Sequence, residues 1–183
     1  GQVTICPSEP ATMELLADQA RRVRARFGSA GYLMMHDEVR VLGWDPACRR
    51  FRTPGEALAA NARACTRLLE GARVYVWGDM FDPWQNAVKD DHLVAGDMTG
   101  SWEGLDSSVT VVNWDTRRAQ MALRFFARRG HRQVIAGYYD SDPKDVRRWL
   151  ESAAKVDGVI GVMYTTWRSA YDDVETFARE CGK

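Results

Sequence analysis

The sequence lacks any excess of charge, because 25 lysine and arginine residues balance 25 aspartate and glutamate residues along its 183 positions. A basic excess is what attracts nucleic acid or an anionic membrane surface over long distances. The sequence also lacks an apolar run of the roughly 20 residues that a helix needs to cross a bilayer. Neither a nucleic-acid partner nor a membrane partner is therefore expected.

The chain has little cysteine, and the few cysteines stand far apart. They are Cys6, Cys48, Cys65 and Cys181. No C-x-x-C pair and no short cluster of cysteine and histidine is present, although structural zinc sites and disulfide frameworks usually show such spacings. The thiols are interpreted as buried or incidental. A metal is not expected, since His36 has no spaced partners and His92 and His131 are predicted to lie in loops.

The first residues lack the basic and apolar regions of a secretory signal peptide, so the sequence assigns no compartment. Hydrophobic residues make up 45% of the chain, and a chain of this length and composition can bury a substantial core. Nothing in the composition marks a boundary between domains. We therefore expect a single domain that spans residues 1–183.

Apolar runs recur along the chain, and each ends in polar or aromatic residues. They occupy residues 32–39, 74–79, 109–115, 134–140 and 159–167. Strands that are apolar throughout are typical of sheets buried on both faces, and the helix-like segments between most of the runs indicate parallel crossovers. The fold class is therefore predicted to be α/β.

Local signals predict where several helices begin and which faces they bury. Ser8 is expected to cap the first helix, and Ser169 the last. Thr53-Pro54-Gly55-Glu56 has the pattern of a capping box with proline at the first helical position. One apolar stripe is predicted for the first helix, made of Leu16, Ala20, Val23 and Phe27. Trp149 is predicted to lie in the core.

The polar and aromatic residues follow the C-terminal ends of the apolar runs. Enzymes with a (β/α)8 barrel keep their active sites at this end of the strands, which favours a barrel over a doubly wound sheet. A complete barrel takes about 250 residues, so the chain is predicted to be a partial (β/α)8 TIM barrel of about five strand-helix units. The adjacent carboxylates of Asp37 and Glu38, hereafter the acid pair, are the expected centre of an active site.

The residues around the acid pair resemble a known family. Ile5-Cys6-Pro7-Ser8-Glu9-Pro10, then a helix, then His36-Asp37-Glu38-Val39 is similar to the run in glycoside hydrolase family 20, the β-N-acetylhexosaminidases, that leads to an Asp-Glu pair after the fourth barrel strand. Later strand ends resemble that family in the same order: Val76-Trp77-Gly78-Asp79-Met80-Phe81-Asp82, Asn113-Trp114, Tyr138-Tyr139-Asp140 and Trp167. The resemblance covers essentially the whole chain and implies that its units correspond to barrel strands four to eight.

The resemblance implies retaining hydrolysis of terminal N-acetylhexosamine residues, with a carbohydrate ligand and no cofactor. Glu38 would be the general acid, and Asp37 would orient and polarise the 2-acetamido group of the substrate, which is itself the nucleophile. Tyr138 would hydrogen-bond the acetamido oxygen, and Asp140 would bind a ring hydroxyl. The substrate-binding set implied by the matched motifs is Trp77, Asp79, Trp114, Tyr138, Asp140 and Trp167.

The chain also differs from the family's pattern. Met35-His36 stands where the family has small glycines, and Ser169 stands where it has a glutamate that binds sugar hydroxyls. The family's first three strands have no counterpart. Because a barrel without them exposes strand edges, a missing N-terminal barrel segment or self-association is expected.

Two alternative functions stay open on the sequence. One is a catalytically silent carbohydrate-binding or assembly module with a family 20-like fold. The other is a different (β/α)8 glycosidase in which Asp79 or Asp140 acts as a direct nucleophile beside Glu38. In the weakly periodic segment 84–108, Trp84 and Trp102 are interpreted either as a cover over the pocket or as local packing.

Overall fold

The computed structural model describes residues 5–88 and 96–182, and within them the chain is α/β with a five-stranded parallel sheet. The strands follow one another in the sheet in chain order. They are β1 (Gly31–Met34), β2 (Arg73–Trp77), β3 (Thr110–Asn113), β4 (Gln133–Ala136) and β5 (Val159–Met163). The predicted α/β class is confirmed. The predicted loop residue His92 lies outside the described residues.

Helices connect most of the strands. They are α1 (Pro10–Phe27), α2 (Pro54–Leu68), α3 (Ala119–Arg128), α4 (Val146–Ala153) and α5 (Val174–Cys181). Short 3-10 helices cover Cys48–Arg50, Asp79–Phe81, Ser101–Gly104 and Pro143–Asp145. Among the described residues, no helix combines the length and the apolarity that crossing a membrane requires.

The chain forms two compact units that divide between Val109 and Thr110. In the first unit, β1 and β2 pair in parallel, with Gly31 opposite Arg73 and Met34 opposite Val76. In the second unit, β3, β4 and β5 pair in parallel, with a register shift in β4 at Gln133. The expectation of a single domain stays a prediction.

The core of the second unit contains the residues that helical periodicity predicts. Trp149 is fully buried and packs with Leu123 and Ile135, so its predicted core position is confirmed. A neighbouring cluster joins Val146 and Phe177 to Tyr138. All four residues of β3 are buried, which fits a strand covered on both faces.

The capping prediction is confirmed for α2 and wrong for the first and last helices. The backbone N–H of Glu56 donates a hydrogen bond of 3.1 Å to Thr53 Oγ1. In contrast, Glu9 occupies the N-cap of α1, and Ser8 is buried with its Oγ 3.2 Å from Cys48 Sγ. The last helix begins only at Val174, because the loop after β5 continues past Ser169.

The apolar stripe of α1 does not become core. None of the residues of α1 is buried, and Phe27 at its C-terminal end is 72% exposed. Leu16, Ala20 and Val23 instead line a cavity in the first unit. The periodicity therefore predicted the helix correctly, but the neighbouring elements do not close over its apolar face.

Two glycines bring α2 into backbone contact with the segment that precedes β3. A Cβ added at Gly104 would lie 2.4 Å from the carbonyl oxygen of Ala59, and one added at Gly55 would lie 2.1 Å from that of Thr99. Real Cβ atoms do not approach a backbone oxygen so closely, since both sides are rigid. The first unit therefore requires glycine at both positions.

We expect Gly104→Ala to lower the free energy of unfolding by about 3 kcal/mol, because the added methyl group must push α2 away from the 3-10 helix at Ser101–Gly104. Gly161→Ala in β5 is the matched control, since a Cβ there meets no atom within 4 Å. Urea unfolding followed by circular dichroism measures both variants. Equal losses of stability in the two would contradict the backbone contact.

Candidate functional site

The acid pair lies in the loop after β1 and not in the strand. The predicted run extended to residue 39, but β1 ends at Met34. The backbone N–H of His36 donates a hydrogen bond of 3.1 Å to the carbonyl oxygen of Met34, so the chain turns at this point. Glu38 has φ of 45°, a left-handed conformation that a strand residue does not adopt. The chain therefore leaves the sheet just before the two carboxylates.

Asp79, which follows β2, holds the backbone of this loop in place. The N–H of Glu38 donates a hydrogen bond of 2.9 Å to Asp79 Oδ2, and the same oxygen accepts a bond of 2.8 Å from Asn86 Nδ2. Asp79 is only 1% exposed. Its carboxylate therefore acts on the main chain of Glu38, a role that the sequence did not indicate.

The side chains of the acid pair are partly accessible. Glu38 Oε2 lies 2.9 Å from Arg40 Nη2, and both side chains keep some solvent exposure. Asp37 is also half-buried. An Arg–carboxylate pair two residues apart further restricts the conformations of this short loop.

His36 is buried and serves the first unit as a neutral hydrogen-bond donor. Its Nε2 lies 2.9 Å from Asn61 Oδ1, while Asn61 Nδ2 points at the carbonyl of Pro7 and at Met13 Sδ. Because the amide nitrogen is directed at those acceptors, the network assigns the proton to His36 Nε2. Burial lowers the pKa of His36, against weaker opposing effects of Asn61 and Asp37.

Trp77, a member of the predicted substrate-binding set, is buried at the end of β2. Its Nε1 has no hydrogen-bond partner among the described residues. Trp84 and Trp102 are both half-buried, which leaves their two interpretations open.

In the second unit, three rings from three strand ends form a surface that we call the aromatic row: Trp114, Tyr139 and Trp167. Trp114 stacks on Tyr139 with centroids 6.1 Å apart and planes 14° apart, and Tyr139 meets Trp167 edge-on at 5.8 Å. Tyr139 and Trp167 are 52% and 58% exposed. The resemblance implied the two tryptophans but gave the tyrosine role to Tyr138.

Tyr138 points into the core of the second unit. Its ring stacks on Tyr164 at 4.3 Å, and its hydroxyl donates a hydrogen bond of 3.0 Å to Asp173 Oδ2. Contact with the Tyr164 hydroxyl, loss of water and the nearby Asp173 carboxylate all raise the pKa of Tyr138. The pair Tyr138-Tyr139 is ambiguous in sequence, since only the packing shows which ring turns outward.

Asp140 fixes the loop after β5. Its carboxylate accepts hydrogen bonds from Thr166 Oγ1, from the N–H of Trp167 at 2.6 Å and from the N–H of Arg168 at 3.1 Å. Partial burial raises the pKa of Asp140, but these hydrogen bonds outweigh it and the net shift is downward. Asp140 thereby sets the backbone position of one member of the aromatic row.

Left-handed backbone marks both parts of the candidate site. Among the described residues, the non-glycine positions with positive φ are Glu38, Asp140 and Ser169. Such conformations are costly for residues with a side chain and concentrate at functional sites. All three belong to the loops that the sequence analysis selected.

The first unit also contains an apolar cavity of about 430 Å³ between α1, β1 and α2. Its lining is mostly apolar and includes Leu16 and Val23 of α1. The polar lining residues include Thr12, Gln19, Tyr32, His36 and Asn61. The sequence gave no sign of it, because the stripe on α1 was expected to be covered. The cavity lies against the apolar stripe of α1, which the neighbouring elements do not close over.

Comparison with protein-family models and with curated proteins gave no match. The candidate site therefore rests on its own residues. The acid pair, Trp77 and Asp79 belong to the first unit, and the aromatic row, Tyr138 and Asp140 belong to the second. The resemblance implies that Glu38 shares one site with Trp77, Trp114 and Trp167, and this stays a prediction.

The stability of the first unit should fall as the pH drops below 6.5, the ordinary pKa of histidine. In that range His36 is protonated in the unfolded chain but stays neutral when it is buried. The free energy of unfolding therefore falls by up to about 1.4 kcal/mol for each pH unit. Urea unfolding from neutral pH to about pH 5 measures the slope. His36→Gln, which keeps a donor for Asn61, should show a shallower slope, and an unchanged slope would contradict this origin.

Proposed function

We propose that the chain is the C-terminal portion of a family 20-like (β/α)8 barrel and acts on terminal N-acetylhexosamine residues by substrate-assisted retaining hydrolysis. The observation that carries the proposal is the geometry of the loop after β1. There Glu38 has a left-handed backbone, and its N–H donates a hydrogen bond of 2.9 Å to Asp79 Oδ2. The parallel order of the strands is consistent with barrel strands four to eight. The expected N-terminal barrel segment or self-association stays a prediction.

The conformation of this loop suits two neighbouring carboxylates that serve one substrate. On a regular strand, adjacent side chains face opposite ways, so Asp37 and Glu38 can act together only after the strand has ended. Positive φ at a residue with a side chain costs about 1–3 kcal/mol, and it persists only where the surroundings enforce it. The buried carboxylate of Asp79 supplies that enforcement.

Each member of the acid pair then has a distinct task. Glu38 donates a proton to the glycosidic oxygen as the bond to the anomeric carbon breaks. Asp37 orients the 2-acetamido group, whose carbonyl oxygen attacks that carbon and takes the place of an enzyme nucleophile. Water later attacks the same carbon, the bond to the acetamido oxygen breaks and restores the 2-acetamido group, and Glu38 accepts the proton of the water. Two displacements at one carbon retain its configuration.

The aromatic row of the second unit has flat, exposed faces that suit a sugar. Flat apolar faces suit the C–H surfaces of a pyranose ring, and Tyr139 and Trp167 are both more than half exposed. In this proposal Tyr139 takes the substrate-binding role that the resemblance gave to Tyr138. The hydroxyl of Tyr138 already donates a hydrogen bond to Asp173. The buried Asp79 is not favoured as a direct nucleophile, because its carboxylate serves the Glu38 backbone.

Replacement of Glu38 by glutamine should lower kcat/KM for a chromogenic N-acetyl-β-glucosaminide by roughly 10²–10⁴-fold, because glutamine cannot donate the proton. Glu175→Gln, an exposed change in α5, is the control and should keep the full rate. Thermal unfolding of both variants shows whether the fold is intact. Equal rates for wild type and Glu38→Gln would refute the assigned acid.

A second candidate function is a carbohydrate-binding or assembly module without turnover, and the exposure of the aromatic row favours it. The row needs no acid to hold a sugar. If the protein binds N-acetylglucosamine but releases no chromophore, the module is the correct reading. If it neither binds nor hydrolyses the sugar, both functions are wrong.

Removal of one ring from the aromatic row should weaken sugar binding. We expect Trp167→Ala to raise the Kd for N-acetylglucosamine oligomers about three- to tenfold, since one stacked ring is lost. Tyr171→Ala removes a similarly exposed ring outside the row and should leave the Kd unchanged. Calorimetric titration measures both, and equal effects would argue against the row as the sugar surface.

A further inference from the structure

The fold brings the thiol of Cys6 to a carboxylate and a second thiol that lie 39 and 42 positions later in the sequence. Cys6 lies just before α1, whereas Asp45 and Cys48 lie in and after the loop that follows β1. The Sγ atoms of Cys6 and Cys48 are 3.4 Å apart, and Cys6 Sγ is 3.0 Å from Asp45 Oδ1. One ligand atom from each of the three residues lies within 4.8 Å of the others. We call this group the thiol cluster.

Further hydrogen bonds fix the three side chains of the thiol cluster. Asp45 Oδ1 accepts the N–H of Cys48 at 3.1 Å, and the N–H of Ser8 donates to Cys6 Sγ at 3.4 Å. Ser8 Oγ lies 3.2 Å from Cys48 Sγ. Contacts of this kind fix the positions of ligand atoms. Cys48 is 2% exposed, while Cys6 and Asp45 are half-buried and leave a path from solvent.

The spacing of the two sulfur atoms fits a shared cation better than a bond between them. Two thiolates about 2.3 Å from a tetrahedral zinc ion lie about 3.8 Å apart. A disulfide requires about 2.05 Å. The observed 3.4 Å is much nearer to the first value, so small side-chain adjustments suffice for a metal ion.

We propose that Cys6, Asp45 and Cys48 form a binding site for Zn²⁺. Two thiolates and one carboxylate are ligands that this borderline-soft ion accepts, and water or the Ser8 hydroxyl completes a tetrahedral set. Binding releases both thiol protons and leaves the site with one net negative charge. The ion joins the segment before α1 to the loop after the acid pair, and this role is independent of any hydrolase activity.

Titration of the reduced full chain with Co²⁺ tests the site. A thiolate-to-cobalt charge-transfer band should appear at one equivalent and should disappear when Zn²⁺ displaces the cobalt. Cys6→Ser should remove most of the band, and Asp45→Asn should weaken Co²⁺ binding roughly tenfold or more. Cys181→Ser, which changes a thiol outside the cluster, should bind like wild type.

Several results would overturn the proposal. One is a wild-type titration no different from that of Cys6→Ser, with both proteins shown to be folded by circular dichroism. Another is a band that persists in Cys6→Ser and in Cys48→Ser alike, which would place the metal elsewhere. A third is an intact mass showing that Cys6 and Cys48 are oxidised to a disulfide in protein prepared under reductant.

Discussion

The candidate site depends first on the hydrogen bond from the backbone N–H of Glu38 to Asp79 Oδ2. Its acceptor oxygen is buried, and a hydrogen bond in such a low-dielectric environment is electrostatically stronger than one in solvent. This hydrogen bond offsets the cost of the left-handed backbone at Glu38. Because β1 and β2 are parallel and paired, the end of β2 lies beside the loop that it must hold.

The second unit repeats this arrangement with different residues. Asp140 follows β4, and its carboxylate accepts the N–H groups of Trp167 and Arg168 in the loop after β5. In both units, a carboxylate after one strand orders the main chain after the neighbouring strand. Parallel pairing explains the repetition, because it brings the C-terminal ends of adjacent strands to the same edge of the sheet.

Polar contacts, more than apolar burial, attach the N-terminal part of the first unit. None of the residues of α1 is buried, yet Cys6 contacts Asp45 and the Asn61 amide reaches the carbonyl of Pro7. Asn61 Oδ1 in turn accepts a hydrogen bond from His36 Nε2. Contacts of polar side chains therefore link the segment before α1 to the centre of α2 and to the loop after β1, beside an apolar cavity that they do not fill.

The sequence by itself determined the elements: the parallel strands, the core position of Trp149, and the start of α2 at Thr53 all follow from patterns within a few residues. The tertiary structure decided which side chains act where. It turned Tyr138 inward and Tyr139 outward, engaged Asp79 and Asp140 with backbone, and brought Cys6 to Cys48 across 42 positions. Local patterns carry no information about such distant pairs, since their proximity depends on how strands and loops are arranged around one another.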